Sequence, residues 1–356
     1  RGLRDAVHTS IAATLVLCVF ATAVGMLIVD PMLRMMSTPE DVFQQSKTYL
    51  MIYFAGITGL LIYNMGSAIL RAVGDSRRPL YFLCFSAINN IIFDLLFVLA
   101  FGWGVAGVAY ATILSQFVSF CILFCMTRQG ANIPIRFRNM HPSWPILKEI
   151  VAGGAPSLIR QGTQSLSTIF LNVAAGGFGD AAIAAMSIVT RLSFFAASVI
   201  IGFGQGFQPV CGFSYGARKY GRLREGFWFA VKAGTLFALL AAAVAIVWAV
   251  PILGEFRNDP LVISTGAQAL RAQAMTFFLV PLTILTNMCL QTIRKTGGAM
   301  LVAAGRSGLF LIPTLLVLPR AFGLTGLVWS QSVSDLCGFL LAAVLIRKFF
   351  QKLPEK

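Results

Sequence analysis

The sequence predicts an all-α integral membrane protein, and three observations support this fold class. The mean hydropathy is +0.80, and 12% of the residues are charged, against about 25% in ordinary soluble domains. Apolar runs recur with close to the ~20 residues that a membrane-spanning helix needs. Only helices and closed β-barrels satisfy the backbone hydrogen bonds of a segment in lipid, and these runs are too long for barrel strands, so we predict helices. The ten predicted spans are Thr9–Val29, Tyr49–Leu70, Leu80–Phe101, Gly104–Met126, Pro156–Phe178, Ala181–Phe213, Gly226–Leu253, Ala272–Leu290, Met300–Leu318 and Leu324–Ile346.

Basic residues are distributed unevenly over the linkers between these runs. The net charge is +15, and the linkers alternate between rich and poor in arginine and lysine. This alternation is the positive-inside pattern, so we assign the rich linkers, and the C-terminal tail after residue 346, to the cytoplasm. We place Arg294, Lys295 and Arg306 together in one rich linker. No nucleic-acid motif accompanies the charge, and we predict no nucleic-acid partner.

The two halves of the chain repeat each other in the same direction. A helix count that is even between matched points, with basic linkers that stay in phase, predicts a parallel repeat. In transporters, such repeats place the substrate site at the repeat interface near the membrane midplane. The matched segments are residues 1–5 with 221–225, residues 71–74 with 294–297, and residues 104–107 with 323–326.

A long polar segment divides the chain into two predicted lobes. Residues 128–150 contain three prolines and four basic residues, which is typical of a linker between domains. We predict an incomplete N-terminal lobe of four helices at 1–127, a cytoplasmic linker, and a C-terminal lobe of six helices with the tail at 151–356. An alternative makes Trp144–Val151 a short interfacial helix. The second repeat has two extra helices, so we expect two further spans before Arg1 in the intact gene product.

Asn90 and Asp94 are the strongest candidates for ion coupling. They are four residues apart in an apolar run, so on a helix they share one face. A carboxylate at bilayer depth costs roughly 2.5 kcal/mol or more, and it usually faces a cavity on an ion or proton path. The alternative is a carboxyl group hydrogen-bonded to Asn90 that only holds helices together. We favour the ion path.

Polar residues at helical spacing in the second lobe predict the wall of a substrate cavity. One predicted span carries Gln161, Gln164 and Thr168 on one face, and another carries Asn287 and Gln291. Lipid would penalise such stripes, so each faces a cavity or another helix. We favour a cavity for a small amphipathic molecule.

Charged residues of the second lobe also lie inside apolar runs, among them Arg160, Arg191 and Asp335. Arg160 and Arg191 either extend to the lipid headgroups or give the cavity positive charge for a flat anionic, nucleotide-like molecule. Asp335 is adjacent to Ser334, and its repeat equivalent is the uncharged Gln116. For Asp335 we therefore favour polar contacts between helices over ion coupling.

Several segments make the chain resemble the multidrug and toxic compound extrusion (MATE) family. They are the glycine-rich residues 202–209, the Gly-Ala-Pro sequence at 154–156, and the Asn90–Asp94 pair followed by residues 107–115. The resemblance covers essentially the whole chain, and it implies a two-lobed bundle of twelve helices in the intact fold.

The resemblance also implies where coupling takes place. Asn90, Asp94 and Thr112 resemble the first-lobe cluster of the DinF-type branch, whose carboxylate takes part in proton or sodium coupling. The other acid of that cluster lies on a family helix that the given sequence does not contain. The NorM-type branch has an acid on the first helix of its second lobe, where this chain has neutral residues such as Gln164. We therefore expect coupling only in the first lobe.

The function that the resemblance implies is export of amphipathic aromatic compounds, including anionic nucleotide-like ones. The exporter would work in a bacterial inner (cytoplasmic) membrane, in exchange for a proton rather than sodium, as a monomer without a cofactor or metal. Two alternatives stay open, a lipid-linked saccharide flippase of the same superfamily and a truncated fragment without function. A flippase predicts several lumen-facing basic residues in the first lobe, which this chain lacks. The GxSxG sequence at 212–216 ends a predicted helix instead of a strand, so we predict no enzyme activity.

Overall fold

The computed structural model describes residues 2–35, 40–72, 74–75, 77–129 and 143–354, and in these residues the regular structure is entirely helical. This confirms the all-α prediction. Two π-helical turns, Leu96–Ala100 and Gly305–Phe310, interrupt the α-helices. The α-helices are α1 (Gly2–Met35), α2 (Glu40–Ala72), α3 (Arg77–Leu95), α4 (Gly104–Gln129), α5 (Trp144–Gly176), α6 (Asp180–Gly216), α7 (Tyr220–Val247), α8 (Ala249–Phe256), α9 (Pro260–Phe277), α10 (Val280–Thr292), α11 (Thr296–Ala304) and α12 (Leu311–Gln351).

The chain forms two compact units, Arg1–Ile150 and Val151–Lys356. In the first unit, α2 packs against α1 and α4, and α4 packs against α3. In the second unit, α6 packs against α7, α9 and α10, and α12 packs against α9 and α10. Most of the predicted linker 128–150 lies outside the described residues. Its described ends are largely helical, since α4 continues to Gln129 and α5 begins at Trp144.

Fewer helices than predicted meet a simple test for membrane spans. Among the described residues, seven helices are long and apolar enough to cross a membrane, or eight if α9 and α10, which are bent by 56°, form one span. The sequence predicted ten. α5 is not among the seven, because its stripe of polar side chains interrupts the apolar sequence. The last two predicted spans fall in one helical segment, Thr296–Gln351.

The chain nevertheless reverses direction inside α12, at Gly323. This residue has φ +60° and ψ −140°, a conformation that glycine adopts without steric cost. Thr314 Oγ1 donates to the carbonyl oxygen of Ser330 at 3.3 Å across 16 positions of sequence. A continuous helix of that length would separate the two residues by about 24 Å. Thus α12 consists of two helices that fold back on each other, α12a (residues 311–322) and α12b (residues 324–351).

Two pairs of helix ends have matching backbone geometry, which agrees with the predicted repeat. Gly104 and Gly323, which the predicted repeat aligns, both begin a helix with positive φ, +55° and +60°. At another helix end, the N–H groups of Gly74 and Arg294 each donate to the carbonyl oxygen three residues earlier, and both residues have positive φ. The structure therefore aligns residue 74 with residue 294. The predicted match of 71–74 with 294–297 is displaced from this alignment by three residues.

Gly326 allows α12b to pack against the end of α12a, and we expect alanine there to destabilise the fold. A Cβ atom at Gly326 would overlap the carbonyl oxygen of Leu318. Because a backbone carbonyl cannot move aside cheaply, Gly326→Ala should lower the free energy of unfolding by about 2–3 kcal/mol. Titration with sodium dodecyl sulfate in mixed micelles would measure the change.

The matched control for this prediction is Gly297→Ala in α11, where a Cβ atom would meet nothing within 4 Å. This substitution should raise stability by about 0.5–1 kcal/mol, because alanine has the better helix propensity. Equal stability of the two variants would contradict the close approach at Gly326.

Candidate functional site

The predicted coupling pair lies on the packed side of α3. Asn90 and Asp94 are half-buried, and they continue the face that carries the buried Phe82. The opposite face is open, with Ile88 57% and Ile92 51% exposed. Because α3 packs against α4, the carboxyl group is on the protein-facing side of its helix.

Two polar atoms of this pair are buried without a partner. Oδ1 of Asp94 and Nδ2 of Asn90 form no hydrogen bond with the described residues. The alternative in which Asn90 donates to Asp94 and merely holds helices together is therefore not realised. A buried, unsatisfied polar atom is costly, and in native proteins it often has a functional reason.

Thr112, the third predicted coupling residue, lies on α4. Its Oγ1 donates to the carbonyl oxygen of Val108 at 3.0 Å, so its hydroxyl proton is used within its own helix. The structure places Thr112 on the helix that packs against α3, without a hydrogen bond to Asp94.

A cavity of about 120 Å³ with both polar and apolar side chains in its wall lies within the second unit. It is bounded by α5, α6, α9, α10, α11, the π-helical turn Gly305–Phe310 and α12. Four of the seven predicted cavity residues line it, namely Arg160, Gln164, Thr168 and Asn287.

The other three predicted cavity residues do not line this cavity. Gln161 and Arg191 are exposed. Gln291 instead connects two helices, because its Nε2 donates to the carbonyl oxygen of Gly153 at 2.8 Å and to Ser157 Oγ at 3.0 Å. Successive residues of a helix are about 100° apart around its axis. Spacing alone therefore selects a polar face that is broader than the wall of one small cavity, and only some residues of that face can line the cavity.

An ion pair in this cavity corrects the predicted position of Arg306. We assigned Arg306 to a cytoplasmic linker, but it lies in the π-helical turn, and its Nε is 2.7 Å from Oδ1 of Asp335. The same oxygen accepts from Gln331 Nε2 at 2.9 Å. Ser334 Oγ donates to the carbonyl oxygen of Arg306 at 2.5 Å. The expected polar contacts of Asp335 are thus contacts with the turn that carries Arg306.

Sequence reasoning missed Arg306 as a cavity residue although a signal was present. Arg306 lies within the apolar run Met300–Leu318, and an arginine in such a run needs a partner or an aqueous route. Its partner could not be found locally, because Asp335 is 29 positions away and beyond the reversal at Gly323.

The formal charges of the cavity sum to +1. Arg160 and Arg306 contribute two positive charges and Asp335 one negative charge. Arg160 forms no ion pair with a described carboxylate. In the described residues, no group of three or more His, Cys, Asp and Glu side chains could hold a metal ion.

Comparison with known proteins identifies relatives along most of the chain. The MatE family model matches residues 1–96 and 156–316. The multidrug export protein MepA of Staphylococcus saprophyticus is 25% identical over 356 residues, which covers 97% of this chain and 77% of that protein. The probable multidrug resistance protein YpnP of Bacillus subtilis is 27% identical over 301 residues, 85% of this chain and 66% of its own length.

Solved structures show the same fold. A MATE structure in complex with MaL6 has a TM-score of 0.92 at 23% identity, over 99% of this chain and 80% of that one. A MOP superfamily transporter from Pyrococcus furiosus, described as having a binding pocket of reversed polarity, has a TM-score of 0.93 at 23% identity, with the same coverage. The comparisons do not test the predicted DinF-type branch.

Proposed function

Since the chain belongs to the MatE family, we propose that this multidrug efflux transporter is an antiporter that exchanges amphipathic aromatic compounds for a proton. Its place would be the inner membrane of a bacterium, with the basic C-terminal tail in the cytoplasm. Sodium is the second candidate for the coupling ion. We further propose that the protein acts as a monomer and needs no cofactor.

The observation that carries the coupling proposal is the buried carboxyl oxygen of Asp94, which has no hydrogen-bond partner in the part of the chain that the structure describes. A transporter must alternate between two conformations, and a bound ion shifts that equilibrium only by its different affinity for each. A carboxylate in an apolar helix meets this requirement. The ionised carboxylate is destabilising in a conformation that excludes water from it, and a bound proton or cation removes this destabilisation. Asn90 supplies an amide on the same face that can orient the carboxyl group.

The substrate part of the proposal is supported by the cavity of the second unit. Polar side chains such as Gln164 and Asn287 line it together with the aromatic rings of Phe194 and Phe277. A few polar groups in a partly aromatic wall are typical of sites for amphipathic small molecules. Ion and substrate would then bind in different units of the same chain.

Transport by the full chain in proteoliposomes tests the proposed function. Rhodamine 6G and sulforhodamine B, which share a xanthene ring but differ in charge, would be supplied under a proton gradient, a sodium gradient or neither. We expect the proton gradient alone to accelerate transport of at least one dye about tenfold or more over empty liposomes. Acceleration by the sodium gradient alone would identify sodium as the coupling ion. No acceleration by either gradient would overturn the antiport proposal.

A further inference from the structure

We infer that the cavity of the second unit binds the anionic head of an amphipathic compound, a carboxylate, sulfonate or phosphate group, between Arg160 and Arg306. The inference deepens the proposed function, and it depends on that function only in taking the bound compound to be a transported one. The sequence predicted that Arg191 as well as Arg160 could give this cavity positive charge, but Arg191 lies on an exposed position outside the cavity.

The first support is the charge of the cavity. Arg306 is neutralised by Asp335, whereas Arg160 has no described counterion. A guanidinium group in an apolar surrounding is unfavourable without a paired anion. A ligand with one negative charge would neutralise the cavity, whereas a cationic ligand would raise its charge from +1 to +2.

The second support is the direct packing of α5 on the turn that carries Arg306. Ser167 Oγ donates to the carbonyl oxygen of Ser307. One helical turn earlier, a Cβ atom at Gly308 would lie only 2.9 Å from Thr163 Cγ2. Arg160 is three residues before Thr163 on α5, and it lines the same small cavity as Arg306. Two guanidinium groups that face one cavity of this size can bind a single anionic group together.

The third support is the different accessibility of the two members of the ion pair. The Asp335 side chain is 2% exposed, and that of Arg306 is 23% exposed. Oδ1 of Asp335 already accepts from Arg306 and Gln331. Arg306 uses Nε for this contact, so the two terminal nitrogens of its guanidinium group remain available as donors. An anion can therefore reach Arg306, whereas Asp335 is enclosed and holds the guanidinium in place.

The size of the cavity limits the ligand part that it can hold. Its volume is about 120 Å³, whereas the smallest typical ligand pockets have a volume of about 300 Å³. It can enclose an anionic head group but not a whole drug-sized molecule. Phe194, which is 54% exposed, lines the cavity and can contact an aromatic body outside it.

Binding of three naphthalene compounds to the purified full chain tests this inference. Naphthalene-2-sulfonate, naphthalene-2-sulfonamide and 2-(aminomethyl)naphthalene share a ring and carry a negative, a neutral and a positive head. Equilibrium dialysis in detergent, without a gradient, measures their affinities independently of transport. We expect the sulfonate to bind at least about tenfold more tightly than the other two, which corresponds to about 1.4 kcal/mol.

Substitutions then identify the residues responsible. Arg160→Gln should weaken sulfonate binding about tenfold and leave the sulfonamide unchanged, Arg160→Lys should retain most of it, and Arg160→Glu should reverse the preference toward the amine. The double variant R306Q/D335N, which removes the pair without leaving a lone charge, should also weaken sulfonate binding. Arg257→Gln is the matched control, because Arg257 is exposed and does not line the cavity.

Two results would overturn the inference. One is equal binding of the three compounds by the unsubstituted chain, and the other is full sulfonate binding by Arg160→Gln, which would mean that Arg160 only extends to the headgroups. Size-exclusion profiles and helical circular dichroism would verify that each variant is folded. Gradient-driven dye transport can persist when sulfonate binding fails, and binding can persist when transport fails, so the two proposals can be refuted separately.

Discussion

Asp94→Asn is expected to reduce gradient-driven dye transport at least about tenfold, to the level of empty liposomes. Asparagine has nearly the size of aspartate but cannot exchange a proton or attract a cation. The variant should therefore keep the packed face of α3 while losing the ion-dependent shift between conformations. Initial rates of rhodamine 6G and sulforhodamine B transport under a proton gradient would measure the loss.

Three controls separate coupling from folding. Asp180→Asn changes an exposed carboxylate at the start of α6 and should leave transport unaltered. Asp94→Glu keeps the carboxyl group and should retain part of the activity. Naphthalene-2-sulfonate binding by Asp94→Asn should equal that of the unsubstituted chain, because the cavity lies in the other unit. Unchanged pumping by Asp94→Asn would remove Asp94 from the mechanism.

Asp335→Ala is expected to lower the free energy of unfolding by about 3–5 kcal/mol. The change leaves Arg306 charged and unpaired beside the cavity, and it removes the acceptor of Gln331 Nε2. Asp335 is 3% exposed, so water cannot easily replace the carboxylate. Titration with sodium dodecyl sulfate in mixed micelles would measure the difference.

A double substitution tests whether that loss comes from the unpaired charge. R306M/D335L, which removes both charges and fills similar volume, should be less destabilised than Asp335→Ala alone, because replacing a buried pair by apolar residues is often close to neutral. Asp180→Ala on the exposed end of α6 should change stability by less than about 0.5 kcal/mol. A loss below about 1 kcal/mol for Asp335→Ala would show that the pair makes little contribution.

The membrane fold could be predicted because its signals are local. Apolar runs near the length of a spanning helix identified almost every helix, and the predicted alignment of residue 104 with residue 323 matched two glycines that both begin a helix with positive φ. The number of membrane spans was predicted less accurately than their helical structure. α5 combines a membrane-length helix with a polar stripe, and hydropathy adds these contributions into one intermediate value.

The candidate sites were predicted unequally. Asn90 and Asp94 lie on one helix, so spacing alone placed them on a common face. The structure adds that one side-chain atom of each is buried without a hydrogen-bond partner among the described residues. The cavity combines seven segments. Spacing could define a polar stripe on α5, but it could not show which part of that stripe meets other helices. Gln161 and Gln291 belong to predicted stripes, yet neither lines the cavity.

From the amino acids alone came the helical membrane architecture, the parallel repeat and the intramembrane carboxylate Asp94, because each is a pattern in the order of the residues and requires no knowledge of tertiary contacts. Only the folded chain decided that Arg306 pairs with Asp335, and that Arg160 is left with the excess charge of the cavity. Those contacts depend on the register of α12b after the reversal at Gly323, and the free energy that sets this register comes from packing among distant segments.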